Sequence, residues 1–313
     1  MILLRMRGGR LGNQMFQYAF ARYLQVKNPG QELKINFDDV KNQAGKGSGF
    51  DNSLKYFNVP SSEDYFSVST EMSAFQKLLM RIYGKFYPCL PYRMMLGKQK
   101  YQKKWIGLLS FAGIYHYDYG YHKFPLKKKW YQKNLLVFGT FESDKYFSEI
   151  RDVLLAEFTP KYPPRECNKQ LYEHIKNENS VAISIRRGDF VVKNEIGEVH
   201  NVCTMDYFNH AIRLAKELVE KPTFIFFSDD IEWVKRNFQV DAPCYYESGH
   251  DPIWEKMRLM YSCKHFIISN STYSWWGQYL GRNPQKIVIA PDRWFNSDFI
   301  PDIYQSNWHL IKV

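Results

Sequence analysis

No apolar run in this chain approaches the ~20 residues that cross a bilayer, so no membrane-spanning helix is expected. Nor is a secretory leader expected from the first residues. Met1 to Arg10 opens on a short strand-like stretch and places Arg5, Arg7 and Arg10 after it, whereas a signal peptide carries its positive charge first. Cysteines are few, odd in number and scattered: Cys89, Cys167, Cys203, Cys244 and Cys263. They form no CxxC pair and no Cys/His cluster with metal-ligand spacing, which leaves free thiols in a reducing cytoplasm as the simplest account. Repeats and low-complexity tracts are absent. No helix-turn-helix, zinc-finger or RNA-binding signature accompanies the net charge of +11, so nucleic acid is the least favoured partner.

Acidic residues are nearly missing from one segment. Residues 77–133 hold thirteen Lys/Arg against a single acid, Asp118, so this stretch carries the whole positive excess and the remainder is close to neutral. Fourteen aromatic residues fall in the same stretch, among them Tyr83, Phe86, Tyr87, Trp105, Tyr117, Tyr119 and Trp130. Basic and aromatic residues interleaved in this way suit an anionic membrane surface or a glycolipid. They equally suit a solvated basic face whose aromatics fill a core.

With 313 residues the chain has room for two domains. Leu3 to Met6 and Leu33 to Asn36 read as strands. Gly8 to Gln14 reads as a glycine-rich turn, and Met15 to Lys27 as a helix with Phe16, Ala19, Phe20, Tyr23 and Leu24 on one face. Lys41 to Asp51 reads as a polar loop, and Asp144 to Phe158 as one amphipathic helix. Pro160, Pro163 and Pro164 mark a linker, which divides the chain into domains 1–160 and 161–313. The second half alternates regularly. Strand-like runs at 180–185, 223–227, 265–269 and 286–290 are interleaved with helix-like runs at 205–220, 230–238, 252–262 and 274–281, the proportions of a doubly wound parallel sheet.

The strand-to-helix junctions of this half are polar, and they share one edge of such a sheet. The first is Ser184-Ile185-Arg186-Arg187-Gly188-Asp189-Phe190. Two arginines at the end of a buried strand suit a phosphate or carboxylate ligand; pairing with an acidic neighbour such as Asp189 is the structural alternative. The second junction is Ser228-Asp229-Asp230, and the third is Ser269-Asn270-Ser271-Thr272. Either aspartate, and either Ser271 or Thr272, would also make an ordinary helix cap. Capping and anion binding are compatible at a helix start.

Several of these stretches, in this order, resemble the family 11 glycosyltransferases, the α-1,2-fucosyltransferases. Gly9-Arg10-Leu11-Gly12-Asn13-Gln14-Met15-Phe16-Gln17-Tyr18 is similar to the family's N-terminal motif, and Ile185 to Phe190 to its HxRRGD(Y/F) motif. Phe227 to Asp230 with Trp233-Val234 resembles the second motif. Leu259-Met260, Cys263 to His265 and Ser269 to Gly277 resemble the third, and Phe50 to Asn52 with Tyr56 to Val59 is also similar. The resemblance implies a GT-B architecture of two Rossmann-like domains facing a central cleft. It implies GDP-L-fucose as donor, a terminal β-galactoside as acceptor, and inverting transfer with no metal and no other cofactor.

The roles it implies are these. Arg186 neutralises the β-phosphate and Arg187 supports the turn or holds Asp189. Asp229 or Asp230 binds guanine. Asn270, Ser271, Thr272 and Tyr273 hold phosphate or ribose. Gly12 and Asn13 approach donor phosphate and acceptor from the first domain. The base is not among the roles the resemblance implies: an inverting transfer wants a carboxylate or His near the attacking hydroxyl, and Glu195, in a polar loop just beyond the Arg-Arg motif, is favoured over His200, Asp38 and Asp39. The chain departs from the pattern at Ser184, where the family has a nucleotide-holding His, at Lys256, where Asp is expected, and at Gln278, where Ala is common. A cytoplasmic enzyme, peripheral at the inner membrane face, is the expected setting.

Overall fold

The structure is a computed structural model that describes residues 1–44, 50–60, 68–87, 94–118, 120–191 and 194–313, with the side chains of Asp189 and Ile196 left out. Cys89 and Tyr119 lie outside the described residues. The chain forms two compact units. The first comprises 1–158 with 301–303, the second 159–300 with 304–313.

The first unit is built on four parallel strands, β1 (Ile2–Arg5), β2 (Leu33–Asn36), β3 (Ile114–Tyr115) and β4 (Leu135–Val137), in the order β2-β1-β4-β3. Ile2, Leu3 and Leu4 are all buried, as expected of a parallel strand covered on both faces. The first helix, Leu11–Lys27, starts earlier than the sequence suggests. Gly8 and Gly9 take positive φ values of 89° and 84° and complete the turn by themselves. Gly12 and Asn13 therefore sit in the first helical turn. The Gln14 amide donates to the carbonyls of Gly9 (2.9 Å) and Asp51 (2.7 Å), and Gln17 donates to that of Gly8 (3.2 Å), so both glutamines lock the glycine turn.

The expected loop at 41–51 begins inside a helix, Asp38–Ala44. The single helix expected at 144–158 is broken into 3-10 turns at Asp144–Tyr146 and Ser148–Ile150 before the helix Arg151–Glu157. Phe147 leaves helical geometry (φ −150°, ψ 12°) and buries its ring 5.9 Å from that of Phe16. The basic segment supplies two helices, Ala74–Lys85 and Met95–Phe111. Its aromatics serve two ends: Tyr83, Tyr115, Tyr117 and Phe124 are buried, whereas Phe86, Phe111 and Trp130 are exposed.

The second unit carries six parallel strands: β5 (Asn179–Ile185), β6 (Pro222–Ser228), β7 (Cys244–Tyr246), β8 (His265–Ile267), β9 (Val288–Pro291) and β10 (His309–Ile311). Their order is β10-β9-β8-β5-β6-β7. Helices Met205–Leu218, Ile231–Asn237, Ile253–Ser262 and Thr272–Leu280 fall where the alternation places them. The core gathers Val181, Ile183, Phe224, Phe226, Ile267 and Ile289 from the strands, and Tyr207, Phe208 and Ala211 from one helix.

Candidate functional site

The chain leaves β5 for β6 and β7 on one side, then returns to β8 on the other side of β5. The order therefore reverses between β5 and β8. In open α/β sheets ligands bind outside the carboxyl ends of the strands at such a reversal. Three adjacent strands, β8, β5 and β6, bring the three polar junctions to this edge.

Both arginines are held by the β6 junction. Arg186 Nη1 lies 2.6 Å from Asp229 Oδ2. The backbone N–H of Arg187 donates to Asp229 Oδ1 at 2.9 Å, so one carboxylate fixes both residues. The Arg187 guanidinium contacts Asp230 at 3.4 Å and stacks over the Trp233 ring at 3.6 Å from its centroid. The acidic partners are thus Asp229 and Asp230, 43 residues away, and the side chain of Asp189 lies outside the described residues. Asp230 also caps helix Ile231–Asn237, its Oδ1 accepting from the N–H of Trp233 at 3.1 Å. Gly188 makes the pair possible: a Cβ there would stand 2.6 Å from Asp229 Oδ2 and 3.3 Å from Arg186 Nη2.

Ser184 turns inward. Its hydroxyl is buried and hydrogen-bonded to Ser274 Oγ at 2.8 Å, and Ser274 in turn meets Ser269 Oγ at 3.1 Å. Asn270 donates to the carbonyls of His200 and Trp294, both at 2.9 Å, while its own Oδ1 is buried with no hydrogen-bond partner. Ser271 stands at the N-cap of helix Thr272–Leu280 without capping it through its side chain. Tyr273 donates to the Ile253 carbonyl at 3.1 Å, and burial with the nearby Glu247 charge pushes its hydroxyl pKa well up. Lys256 bonds the fully buried Glu247 at 3.1 Å. Ser274 and the Lys256–Glu247 pair escaped sequence reasoning. A lysine where an acid is expected was the one available signal.

The remaining candidates are placed as follows. Glu195 is exposed and lies in the first turn of a short helix, Glu195–His200, capped by Asn194, rather than in a loop. The ring of His200 stacks on Phe190 at 4.8 Å. Asp39 pairs with Arg5 at 2.9 Å, and Asp38 accepts from Asn36 at 2.8 Å. In the first unit, Asn13 donates to Glu142 Oε1 at 3.3 Å, a residue the sequence reading passed over. Among the described residues, no group of three or more His, Cys, Asp or Glu is placed to hold a metal ion.

Known proteins resemble this chain in sequence and in fold. The family model described as "Glycosyl transferase family 11" matches residues 93–312. An alpha-1,2-colitosyltransferase of Escherichia coli is 31% identical over 302 residues, covering 95% of this chain and 93% of the relative. The O-antigen biosynthesis glycosyltransferase WbnK of Escherichia coli is 29% identical, covering 96% and 97%. The human galactoside alpha-(1,2)-fucosyltransferase 1 is 23% identical over 50% of this chain and 47% of its own. The NodZ alpha-1,6-fucosyltransferase soaked with GDP-fucose superimposes with a TM-score of 0.54 at 13% identity, over 92% of this chain and 94% of that one. NodZ from Bradyrhizobium gives 0.50 at 14% identity over the same shares. At that identity the likeness concerns the fold, two α/β units of the GT-B class. On the family match and the near full-length relatives together, this chain belongs to glycosyl transferase family 11.

Proposed function

We propose that the protein transfers L-fucose from GDP-L-fucose to the 2-hydroxyl of a terminal β-galactoside, with inversion and without a metal, forming an α-1,2-fucosyl glycan. The observation that carries this reading is the double arginine at the sheet's switch point, clamped by Asp229 and Asp230 beside the start of helix Thr272–Leu280. Breaking the sugar–phosphate bond leaves charge on the diphosphate. A guanidinium and a helix start supply the neutralisation that a metal supplies elsewhere. Arg186 takes the β-phosphate and, in doing so, releases Asp229. That carboxylate then has the acceptor oxygens that guanine N1–H and N2–H₂ require. Arg187 stays fixed by Asp230 and Trp233 and holds the turn. Ser271, Thr272 and Tyr273 border the phosphate and ribose. Asn270, whose Oδ1 is buried and unpaired, offers an acceptor to a nucleotide hydroxyl. Asn13 serves the acceptor.

The 31% identity to a colitosyltransferase favours a second donor reading. Colitose is the 3-deoxy analogue of L-fucose, so the same linkage and nucleotide would be used with one hydroxyl fewer. The test is a transfer assay with GDP-L-fucose and, separately, GDP-colitose, lactose as acceptor and EDTA present, with NMR of the product. An α-1,2-linked fucosyl galactoside supports the first reading, and faster transfer of colitose supports the second. A different linkage overturns the regiochemistry. Loss of activity in EDTA, restored by Mg²⁺ or Mn²⁺, overturns the metal-free step.

A further inference from the structure

The sheet edge that seats Arg186 and Asp229 continues, in the order β5-β6-β7, to a second charged pair that the donor chemistry leaves unused. Glu247 follows β7 directly, and its backbone N–H donates to the Phe226 carbonyl of β6 at 3.0 Å. One oxygen of its buried carboxylate accepts from Lys256 Nζ at 3.1 Å, the other from the Gly249 N–H at 2.7 Å. Lys256 also donates to the Gly249 carbonyl at 3.1 Å. An ammonium has three donors, so these two bonds leave one N–H for a further acceptor. The Lys256 side chain is partly exposed and can offer that donor to a ligand, whereas Glu247 is closed to one. Two helix starts adjoin the pair. Gly249, at φ +79°, packs so tightly on Ile231, the first residue of the Asp230-capped helix, that a Cβ would stand 2.9 Å from Ile231 Cγ2. Tyr273, in the first turn of helix Thr272–Leu280, feels the Glu247 charge and is bonded to the Ile253 carbonyl, three residues before Lys256. Burying a carboxylate with an ammonium adds little stability by itself, because desolvation cancels much of the attraction. What the arrangement does achieve is to hold one ammonium still beside a ligand edge.

We propose that Lys256, clamped by Glu247, donates to guanine O6 and so selects the base. The inference rests on the donor reading above, in which Asp229 accepts from guanine N1–H and N2–H₂. O6 sits on the carbon next to N1, so a guanine held by Asp229 presents an acceptor beside its donors, and a fixed ammonium satisfies it. Along the edge Arg186 stands at β5, Asp229 at β6 and the Lys256–Glu247 pair beyond β7, an order that suits diphosphate, base donors and O6 in turn. Adenine carries an amino donor where guanine carries O6, so the ammonium would face N–H groups and reject it. Glu247 is a positioning residue: it acts on the base only through the ammonium it holds.

The test measures binding of GDP and of its 6-thio analogue by calorimetry, at slightly acid pH where both keep N1–H. Sulfur in place of O6 leaves the donors for Asp229 intact but is a weak acceptor. The wild type should prefer GDP by about tenfold or more, the worth of a hydrogen bond to a charged group. Lys256→Met should bind the two nucleotides nearly equally, and Glu247→Gln, which keeps an acceptor for the Gly249 N–H, should lose part of the preference. Lys256→Met leaves the Glu247 charge buried without its partner; if that variant does not fold, Lys256→Met combined with Glu247→Gln removes both charges, and the same loss of preference is expected. A preference retained without Lys256 overturns the assignment, whether both affinities fall together, as for a contact to ribose or phosphate, or neither changes, as for a purely structural pair. Equal binding of the two nucleotides by the wild type overturns it as well. A wild type that binds neither nucleotide overturns the guanine reading itself, and the O6 contact with it.

Discussion

Arg186 contributes more to the proposed reaction than to the fold. Its side chain is 21% exposed, and it pairs with Asp229 and lies over the Phe190 ring rather than in the core. Arg186→Ala should lower turnover by ~10²–10³, as loss of one preorganised charge does, with the thermal transition unchanged; near-normal turnover would remove the phosphate role. Gly188→Ala tests the same pair without touching its charges. The added methyl would drive into Asp229 Oδ2 and loosen the pair that the nucleotide has to displace, so GDP should bind more tightly although Arg186 and Asp229 are both retained. Equal dissociation constants would show that the pairing is dispensable. Sequence alone placed Arg186, Asp229 and Asp230 at one sheet edge but could not pair them, because ion pairs across strands depend on register. Ser184 shows the same limit. Its departure from the family pattern was legible, whereas its hydrogen bond to Ser274 was not, since that bond links residues 90 apart.

At the scale of elements, legibility followed strand length and burial. β5 and β6 are seven residues each and covered on both faces, so they read as apolar runs. β3 has two residues and β4 three, too short for any periodicity to show. The turn after β4 owes its geometry to packing of Phe141, fully buried at φ +51°, which is why Glu142 stayed hidden. Helix Ala74–Lys85 is the element whose outward face has no assigned use. It buries Gln76, Leu79 and Tyr83 but exposes Phe75 (48%), Leu78 (57%) and Ile82 (38%), with Lys77, Arg81 and Lys85 alongside. An apolar stripe flanked by cations fits an anionic membrane surface. The protein should cosediment with phosphatidylglycerol vesicles and less with phosphatidylcholine. Replacing Phe75 and Leu78 by Ser should weaken this more than about tenfold, given ~1.5–3 kcal/mol per buried side chain. Equal binding by the variant, or no binding at all, would return the face to solvent.

For the molecule as a whole, charge makes acid the sensitive direction. Asp118, paired with Arg7 and beside His116, has a depressed folded pKa, so its stabilisation is complete above the unfolded value of about 3.9 and is lost as pH falls. His116, also depressed by burial, acts the same way at higher pH, since the unfolded chain takes up its proton first, below about 6.5. Glu142, pushed up by burial and by the Asp118 charge, opposes them: its raised pKa favours the folded state as pH drops from about 7 toward the unfolded carboxyl value. Below that point nothing in this cluster offsets Asp118. Asp118→Asn should therefore destabilise the protein at neutral pH, by less than the ~3–5 kcal/mol of a fully buried pair because Arg7 is 41% exposed, and should flatten the acid transition followed by tryptophan fluorescence. An acid midpoint identical to that of the wild type would contradict this.

The Arg186–Asp229 pair carries one more consequence. An empty anion seat that already holds a carboxylate is not open to every anion. Inorganic phosphate could displace Asp229 from Arg186 but would give the freed carboxylate nothing to accept from. A guanine diphosphate brings both a new anion for the arginine and new donors for the aspartate. On the proposed donor reading the site is a two-key lock, in which neither half of the nucleotide gains entry cheaply without the other. Millimolar cellular phosphate would then be a poor inhibitor, while GDP, carrying both keys, would compete well with the donor.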